Sequence, residues 1–317
     1  MPMNTEKKPL ICIASTSWHS NFVQSTVELV SLLATDREVV FVDYAITWKD
    51  FFKAIMKKNN LDWKKYIGLK PRTEHIKTRY GSELTLLYPP PIAPINWISH
   101  PFLFDFFNWL NAKFCQAIIK KEIRKRNWKN FTVMNAWNPI HGIHYLGNLG
   151  ENSHFYYCYD EISAAKWIGK HGGRYETEFA KKADFVIATS KKLFKNKQLY
   201  NHKTFWLPNG VDFELFNPEA KCSVKTENHV TKIGYIGSID DRIDLELIAY
   251  AIEQNPDFEF EFIGRITDEK IKTALDRYEN VIFIPPQKPE SLPQWVETFD
   301  VGIIPFKKNK FTENIYP

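Results

Sequence analysis

The sequence predicts an α/β protein with mostly parallel sheets, divided into two domains. Short apolar runs alternate with stretches of helical periodicity along most of the chain, which is the pattern of repeated strand–helix units. The 317 residues also exceed the length at which one hydrophobic core usually stops growing, roughly 250–300 residues. The charge is divided as well: residues 1–212 carry 30 Lys and Arg against 18 Asp and Glu, and residues 213–317 carry 12 against 19. Opposite charge in the two parts indicates two units with different partners.

In the first domain, apolar runs predict six strands, and apolar residues at helical spacing predict five helices. The strands are expected at Leu10–Ala14, Glu38–Val42, Thr132–Ala136, Phe155–Tyr159, Phe185–Thr189 and Thr204–Leu207. The helices are expected at Phe22–Leu33, Trp48–Lys58, Phe102–Lys125, Tyr175–Lys182 and Lys191–Tyr200. Residues 59–99 show neither period and contain three consecutive prolines, so we expect an irregular connection there.

A polar stretch without a clear period predicts a linker at residues 217–230, between a first domain of residues 1–216 and a second of residues 231–317. In the second domain, strands are expected at Lys232–Ile236, Glu259–Ile263, Val281–Ile284 and Val301–Pro305. Helices are expected at Leu245–Gln254, Glu269–Asp276 and Leu292–Thr298, followed by a loop to Pro317. Because the pattern stops after a strand without a covering helix, we expect this second domain to be incomplete.

Composition excludes several classes of protein. The four cysteines show no Cys-x-x-Cys spacing, so neither a zinc site nor a disulfide framework is expected. The only early apolar run, Leu10–Ala14, is too short for a signal sequence, and no run approaches 18 apolar residues. These features predict a cytoplasmic protein, and the basic first domain favours an anionic partner such as a lipid phosphate or a membrane surface.

Glycines follow two strands of the second domain. Gly237 and Ser238 come after the first strand, and Gly264 and Arg265 come after the second. Turns of this kind at neighbouring strand ends let the backbone approach a phosphate, which predicts a nucleotide site. The alternative is that both glycines simply permit tight turns.

Polar residues also follow the strands of the first domain. Asp160 and Glu161 come directly after a strand, where a carboxylate facing a crevice accepts a proton from a sugar hydroxyl; the alternative is that one of them caps the next helix. Ser17, Trp18 and His19 follow the first strand and are candidates to line an acceptor site, with His19 a further candidate base. Asn138 follows another strand, immediately before a proline suited to start a helix.

Taken in order, the motifs resemble those of GT-B glycosyltransferases, most closely the glycosyl group 1 enzymes around teichuronic acid biosynthesis. The resemblance covers most of residues 130–317. It rests on Tyr-x-Cys-x-Asp-Glu at 156–161, Ala-Asp at 183–184, Ala-Thr-Ser at 188–190, Pro-Asn-Gly-Val-Asp at 208–212, Gly-Tyr-Ile-Gly at 234–237, Ile-Gly at 263–264, Asp-Val-Gly at 300–302 and Ile-Pro-Phe at 304–306.

The resemblance implies two Rossmann-like domains facing a cleft, with a nucleotide-diphosphate sugar (NDP-sugar) held by the second domain and an acceptor by the first. It places Gly237, Ser238 and Arg242 near the diphosphate and Gly264 and Arg265 near the nucleotide. It assigns Asn209 to the motif that closes the first domain beside the cleft, and Pro305, Phe306 and Thr312 to a loop over the donor. Asp160 takes the place of the general base. No cofactor and no obligatory metal are implied.

The family continues past such a loop with a Lys-x-x-Glu-Tyr helix and a Gly-x-Pro-Val-Val strand, which this sequence lacks. The resemblance therefore implies a C-terminally truncated enzyme of surface polysaccharide biosynthesis.

Two other functions are consistent with the same residues: a nucleotide-sugar epimerase of the same fold, and a non-catalytic nucleotide- or glycan-binding module. The aromatic and lysine-rich stretch at 48–70 and the basic run at 120–126 suggest peripheral contact with an anionic membrane at its inner face. A solvated helix face is the alternative explanation of both. No nucleic-acid partner is expected, because the basic residues are spread over several elements.

Overall fold

The structure is a computed structural model that describes residues 7–20, 25–165, 168–217, 229–309 and 311–315. The chain divides into two compact units. Unit 1 comprises Met1–Pro208 with Asn314–Tyr316, and unit 2 comprises Asn209–Glu313 with Pro317. Most of the expected linker, residues 218–228, lies outside the described residues.

Unit 1 is built on an eight-stranded sheet with the order β3-β4-β2-β1-β5-β6-β7-β8. Every neighbouring pair is parallel except β3 and β4, which are antiparallel. The strands are β1 (Leu10–Ala14), β2 (Val39–Val42), β3 (Thr73–Lys77), β4 (Glu83–Leu87), β5 (Thr132–Ala136), β6 (Ser153–Cys158), β7 (Val186–Ala188) and β8 (Thr204–Trp206).

Seven helices accompany this sheet in the described part of unit 1. They are α1 (Ser25–Leu33), α2 (Trp48–Ile55), α3 (Trp63–Ile67), α4 (Pro101–Lys125), α5 (Pro139–Tyr145), α6 (Gly169–Lys182) and α7 (Lys191–Gln198). The central strand β1 is buried on both faces: Leu10, Cys12 and Ala14 join one core cluster, and Ile11 and Ile13 join another. A parallel strand covered by helices on both sides reads as an unbroken apolar run, as β1 does.

The expectation of an irregular segment at residues 59–99 is wrong, because this segment contains α3, β3 and β4. Strand β3 has the sequence Thr-Glu-His-Ile-Lys and lies at the edge of the sheet, where its residues are partly or fully exposed. An edge strand of this kind lacks the apolar pattern by which buried strands are found. The proline run follows β4 and does end it.

Helix α6 begins six residues before its predicted start at Tyr175, because two glycines that suggest a break lie inside it. A Cβ on Gly172 would stand 2.3 Å from a methyl carbon of Ile162. This glycine therefore serves close packing. The remaining unit 1 elements match their predictions to within a few residues, and the expected start of α1, at residues 22–24, lies outside the described residues.

Unit 2 has its own four-stranded parallel sheet with the order β11-β10-β9-β12. Its strands are β9 (Lys232–Ile236), β10 (Glu259–Ile263), β11 (Val281–Ile284) and β12 (Val301–Gly302). Its helices are α8 (Phe213–Phe216), α9 (Leu245–Gln254), α10 (Glu269–Leu275) and α11 (Leu292–Val296). The two sheets are separate, and the predicted α/β class with two sheets is confirmed.

The described cysteines are buried free thiols: Cys12, Cys115 and Cys158. Cys222 lies outside the described residues.

Candidate functional site

The sheet of unit 1 has a topological switch point between β1 and β5. The chain goes from β1 to β2 on one side and later returns to β5 on the other side. Loops that leave the carboxyl ends of such strands diverge, and the crevice between them is where ligands bind in open α/β sheets.

Hydrogen bonds tie together the loops at this point. The Ser15 hydroxyl, after β1, donates to the Trp137 carbonyl, after β5, at 2.7 Å. The Trp137 indole N–H donates to the Asp160 carbonyl, after β6, at 2.9 Å. Trp137 adopts a left-handed φ of 51°, a strained conformation for a bulky residue that persists where surrounding contacts hold it. Three strand exits are thus fixed relative to one another.

A cavity of about 300 Å³ lies at the switch point. Ser15 and Asn138 line its polar end, and the segment from Ile92 to Trp97 supplies mostly apolar wall. The Asn138 amide is held by backbone, since its side-chain N–H donates to the Ala14 carbonyl at 3.5 Å. We call this the switch cavity.

A second, more polar cavity of about 560 Å³ lies beside the exits of β1, β2 and β4, and Tyr44 lines both cavities. Its volume is in the range of small-molecule sites. We call it the polar cavity; its wall consists of Ser17, His19, Asp43, Tyr44, Ile46, Asp50, Asn59, Asn60, Leu61, Asp62, Lys65, Tyr66 and Tyr88.

A buried carboxylate organises one wall of the polar cavity. Asp43, directly after β2, accepts hydrogen bonds from the Trp18 amide at 2.8 Å, the Ser17 hydroxyl at 3.3 Å and the Tyr66 hydroxyl at 3.2 Å. Burial raises the pKa of Asp43 above its ordinary value, and these donors oppose that rise. Asp43 therefore clamps the loop after β1 against α3.

A second hydrogen-bonded group lies across the same cavity. The His19 Nε2 lies 3.2 Å from the Tyr88 hydroxyl, which donates to Glu74 at 2.7 Å. Lys65 donates to the same carboxylate at 2.5 Å. The Lys65 hydrogen bond, with that from Tyr88, lowers the pKa of Glu74 below its ordinary value. The wall thus presents an imidazole, a phenol and a paired ammonium group.

The structure brings together two of the three predicted residues after β1. Ser17 and His19 line the polar cavity. Trp18 packs against Phe41 in an edge-to-face arrangement with ring centroids 5.1 Å apart, so its ring belongs to the core and its backbone amide serves Asp43. Asn138 lies at the neighbouring switch cavity.

The two carboxylates after β6 differ in environment. Glu161 accepts from the Ser163 hydroxyl at 2.9 Å, caps the short 3-10 turn Ile162–Ala164, and lies 3.4 Å from the Lys197 ammonium. These contacts match the capping alternative for Glu161. Asp160 is partly exposed, and its backbone carbonyl is anchored by Trp137 as described above.

Behind this strand exit lies a buried ionic cluster. The Lys197 ammonium is 2.6 Å from Glu176, which also accepts from the Tyr156 hydroxyl at 2.7 Å. Burial raises the pKa of Glu176, although Lys197 opposes this. The cluster joins α6 and α7 to β6 below Asp160 and Glu161.

In unit 2, the glycines after β9 and β10 meet each other. A Cβ on Gly264 would stand 1.9 Å from the Gly237 carbonyl oxygen, and Gly264 has φ of +151°. The Gly237 amide donates to the Ile263 carbonyl and the Gly264 amide to the Ile284 carbonyl, each at 3.0 Å. The two turns therefore continue the strand pairing, which supports the tight-turn explanation. Phosphate binding at these residues stays a prediction.

The predicted donor-side cation Arg242 is held locally. Its guanidinium pairs with Asp240 through Nε at 2.8 Å and Nη2 at 2.7 Å, and it lies 5.0 Å above the Phe306 ring. Helix α9 is capped by the Asp244 carboxylate, which accepts from the Leu247 amide at 3.2 Å. An anion approaching this region meets one cation flanked by two carboxylates.

The other donor-side residues are spread over the exits of unit 2. The Ser238 carbonyl accepts from the Tyr235 hydroxyl at 2.8 Å, and the Pro305 carbonyl accepts from the Asp244 amide at 2.7 Å. The Thr312 hydroxyl is bonded within its own loop, to the Lys307 carbonyl. Asn209 and Arg265 are exposed. Nothing in these contacts tests whether the residues bind a nucleotide.

Sequence reasoning missed most of the polar cavity. Asp43 follows the run Val-Val-Phe-Val, and the reasoning applied to Asp160 would have found it. Lys65, Glu74 and Tyr88 lie in the segment expected to be irregular, so no strand exit marked them.

Within the described ranges, no group of three or more His, Cys, Asp or Glu residues is arranged to hold a metal ion. No helix among the described residues is long and apolar enough to cross a membrane.

No family model matches the sequence. Among curated proteins, the chain is similar to TuaH of Bacillus subtilis (strain 168), whose assignment as a teichuronic acid biosynthesis glycosyltransferase is itself a prediction. The two are 29% identical over 151 residues, which are 45% of this chain and 38% of TuaH. The match thus spans well under half the length of that relative.

Solved structures match a far larger share of the chain. Anabaena Alr3699/HepE, in complex with UDP and glucose, matches with a TM-score of 0.56 and 11% identity over 93% of this chain and 73% of its own. The catalytic domain of Arabidopsis thaliana Starch Synthase IV, bound to ADP and acarbose, matches with a TM-score of 0.57 and 11% identity over 94% of this chain and 78% of its own. At this identity the likeness concerns the fold, and that fold is GT-B.

Proposed function

We propose that this chain is a glycosyltransferase that moves a sugar from an NDP-sugar donor to a glycan or lipid-linked acceptor in surface polysaccharide biosynthesis. The observation that carries the proposal is a polar cavity at the carboxyl edge of unit 1, in a fold shared with structures that hold UDP or ADP. The similarity to TuaH supports the same chemistry and suggests the polysaccharide context.

The acceptor side of the proposal rests on the polar cavity. Its wall offers hydroxyl, amide and carboxylate groups beside tyrosine rings, which suits a sugar with many hydroxyls and apolar C–H faces. Three carboxylates line it against one lysine, and that lysine is paired with Glu74. A neutral or amino sugar fits this wall better than a phosphate or uronate group would.

For the proton transfer, we assign Asp160 as the general base. The acceptor oxygen attacks the anomeric carbon of the donor, its proton passes to the Asp160 carboxylate, and the bond from the anomeric carbon to the diphosphate oxygen breaks. The Trp137 indole fixes the backbone at Asp160, which places the carboxylate at a rigid strand exit. His19, on the wall of the polar cavity, is the second candidate base.

For the donor, we assign the diphosphate to Arg242 with the turn at Gly237 and Ser238, and the nucleotide to Gly264 and Arg265. Cations aimed at a leaving diphosphate stabilise the charge that develops there. Because Asp240 already pairs with Arg242, donor binding is expected to loosen that pair. The proposal needs no metal ion or cofactor.

We include peripheral attachment to an anionic membrane surface in the proposal, since a lipid-linked acceptor would be found there. Two of the suggested basic stretches differ in the structure. Arg126, at the end of the run 120–126, is engaged by Glu38 and Glu122. Helix α2, in the stretch 48–70, exposes its lysines.

The test is acceptor-dependent release of nucleoside diphosphate from a panel of UDP-, ADP-, GDP- and dTDP-sugars. The wild-type chain is expected to release the diphosphate when an acceptor is present. Asp160→Asn is expected to lose about a hundredfold in rate while still binding donor. His19→Gln is the comparison: a larger loss there than in Asp160→Asn would move the base assignment to His19.

Other outcomes would exclude the proposal. Interconversion of the NDP-sugar without any acceptor would show an epimerase. Donor binding with no turnover, against acceptors from surface polysaccharide extracts, would show a binding module.

A further inference from the structure

Helix α4 exposes an aromatic surface in its first half. Phe102 is 72% exposed and Phe114 is 62% exposed, values unusual for phenylalanine. Between them the same surface continues, and its exposed members are Phe102, Leu103, Phe106, Phe107, Trp109 and Phe114. The other face of the helix is buried against the sheet through Ala112, Cys115 and Ile119. The aromatic residues are therefore not the core face of α4.

Helix α2 exposes a second apolar stripe. Trp48, Phe52, Ile55 and Met56 are each 43–57% exposed, and their spacing of four, three and one residues places them on one side of the helix. Phe51 is buried in the core instead. A short helix that packs by one residue and exposes four apolar ones resembles an interfacial helix.

Both surfaces begin at the mouth of the switch cavity. Thr47, the N-cap of α2, lines that cavity, and so does Trp97, which is 77% exposed and lies four residues before α4. The Trp48 amide donates to the Ile92 carbonyl at 3.0 Å, which joins the start of α2 to the segment leading into α4. The two stripes thus start on either side of one opening.

The charges around these stripes are mainly positive. Lys49, Lys53, Lys57 and Lys58 are exposed on and just after α2. The one acidic residue within α2, Asp50, forms a capping box with Thr47. On α4, Asp105 is bonded to Arg174 at 2.5 and 2.9 Å. Exposed aromatic rings beside unmatched lysines suit anionic lipid headgroups.

We propose that the stripes of α2 and α4, with Trp97, seat unit 1 on an anionic lipid bilayer, so that the switch cavity opens at the membrane surface. Tryptophan and phenylalanine favour the headgroup boundary. A second copy of the chain is a poorer occupant, because the lysines of one copy would face those of the other. Two attachment stripes also meet the need for more than one weak signal in stable anchoring.

The proposal names the acceptor class: a sugar carried on a lipid, whose anchor stays in the bilayer. This extension to the acceptor rests on the proposed function, whereas bilayer attachment itself does not. The mostly apolar wall from Ile92 to Trp97 then lies beside the lipid, and the polar end at Ser15 and Asn138 lies further in.

The test uses the 317-residue chain and sedimentation with vesicles of phosphatidylcholine containing 30% phosphatidylglycerol (about a third anionic lipid, as a bacterial-type surface). Wild type is expected to sediment at low salt and to be released by high salt. Phe102→Ser/Phe106→Ser is expected to weaken partitioning at least about tenfold. Lys53→Gln/Lys57→Gln is expected to weaken it about tenfold on anionic vesicles and to change nothing on neutral ones.

A matched control removes exposed apolar residues elsewhere. Leu199 is 80% and Tyr250 is 63% exposed, and neither belongs to the stripes. Leu199→Ser/Tyr250→Ser is expected to bind vesicles like wild type. Quenching of Trp97 fluorescence by brominated lipids, lost in Trp97→Phe, is the direct readout of contact.

Three outcomes would overturn the proposal: no vesicle binding at low salt, equal binding by the Phe102/Phe106 variant and wild type, or a wild-type dimer that this variant dissociates. Diphosphate release measured in parallel separates the two proposals. Vesicle binding without turnover leaves the docking surface and removes the enzyme. Turnover on a water-soluble acceptor without vesicle binding does the reverse.

Discussion

Replacing Lys197 by Met tests the buried cluster that supports the strand exit at Asp160. Methionine keeps most of the aliphatic volume and removes the charge that lies 2.6 Å from Glu176. Both side chains are at most 5% exposed, so Glu176 would remain buried without its cation. Breaking such a pair by removing one partner costs about 3–5 kcal/mol. We expect unit 1 to lose about this much stability at pH 8.

The loss should depend on pH with a definite sign. Burial already raises the pKa of Glu176 above its ordinary 4.5, and losing Lys197 raises it further. A carboxyl with a raised folded-state pKa contributes stability below its unfolded pKa and loses it as the pH rises through the folded value. The variant should therefore be closer to wild type at pH 5 than at pH 8.

Tryptophan fluorescence during urea unfolding reports this change, since nine of the ten tryptophans precede residue 209 and so belong to unit 1. The control is Lys197→Met/Glu176→Gln, which keeps an oxygen for the Tyr156 hydroxyl and removes the buried charge. We expect it to recover most of the stability. A single variant within 1 kcal/mol of wild type at pH 8 (a small change by the usual scale), or an equal loss at both pH values, would refute the reasoning.

Two further substitutions test the strand exits. Gly264→Ala places a Cβ 1.9 Å from the Gly237 carbonyl oxygen at a φ of +151°, and should destabilise unit 2 by about 3 kcal/mol; Gly302→Ala, whose Cβ would meet nothing within 4 Å, should change it little, and equal thermal shifts for both would contradict the packing argument. Asp43→Ala removes the acceptor of the buried Tyr66 hydroxyl and should cost about 1–3 kcal/mol, measured by urea unfolding, with loss of any sugar binding at the polar cavity; unchanged stability and unchanged sugar binding would show that Asp43 does not organise that wall.

Much of the fold followed from the sequence because buried strands carry a strong apolar signal. Leu10–Ala14, Lys232–Ile236 and Glu259–Ile263 have the predicted bounds, since each is central or nearly so in its sheet. The edge strand Thr73–Lys77 carries no such signal, because exposure on one side frees its residues from being apolar.

The candidate site was predicted only in part, for a related reason. Ser17, His19 and Asn138 follow strands that were found, and each lines a cavity. Glu74 and Tyr88 follow or belong to elements that were missed, and the network they form joins residues up to 69 positions apart. Contacts of that kind depend on strand order, which one sequence without an aligned set does not reveal.

The exposed faces of α2 and α4 illustrate the opposite difficulty. Their aromatic residues looked like core residues from composition, and only burial in the folded chain separates Phe51 and Phe104 from Phe52 and Phe106. Spacing alone does not say which side of an apolar helix faces the sheet.

The central claim is that the chain transfers a sugar to an acceptor bound by unit 1, with Asp160 taking the proton. Mass spectrometry of a lipid-linked acceptor, after incubation with the chain and the donor that it hydrolyses or binds, tests this most directly. We predict a mass increase of one sugar residue with wild type and a strongly reduced yield with Asp160→Asn. An acceptor of unchanged mass, with donor consumed or isomerised all the same, would contradict it.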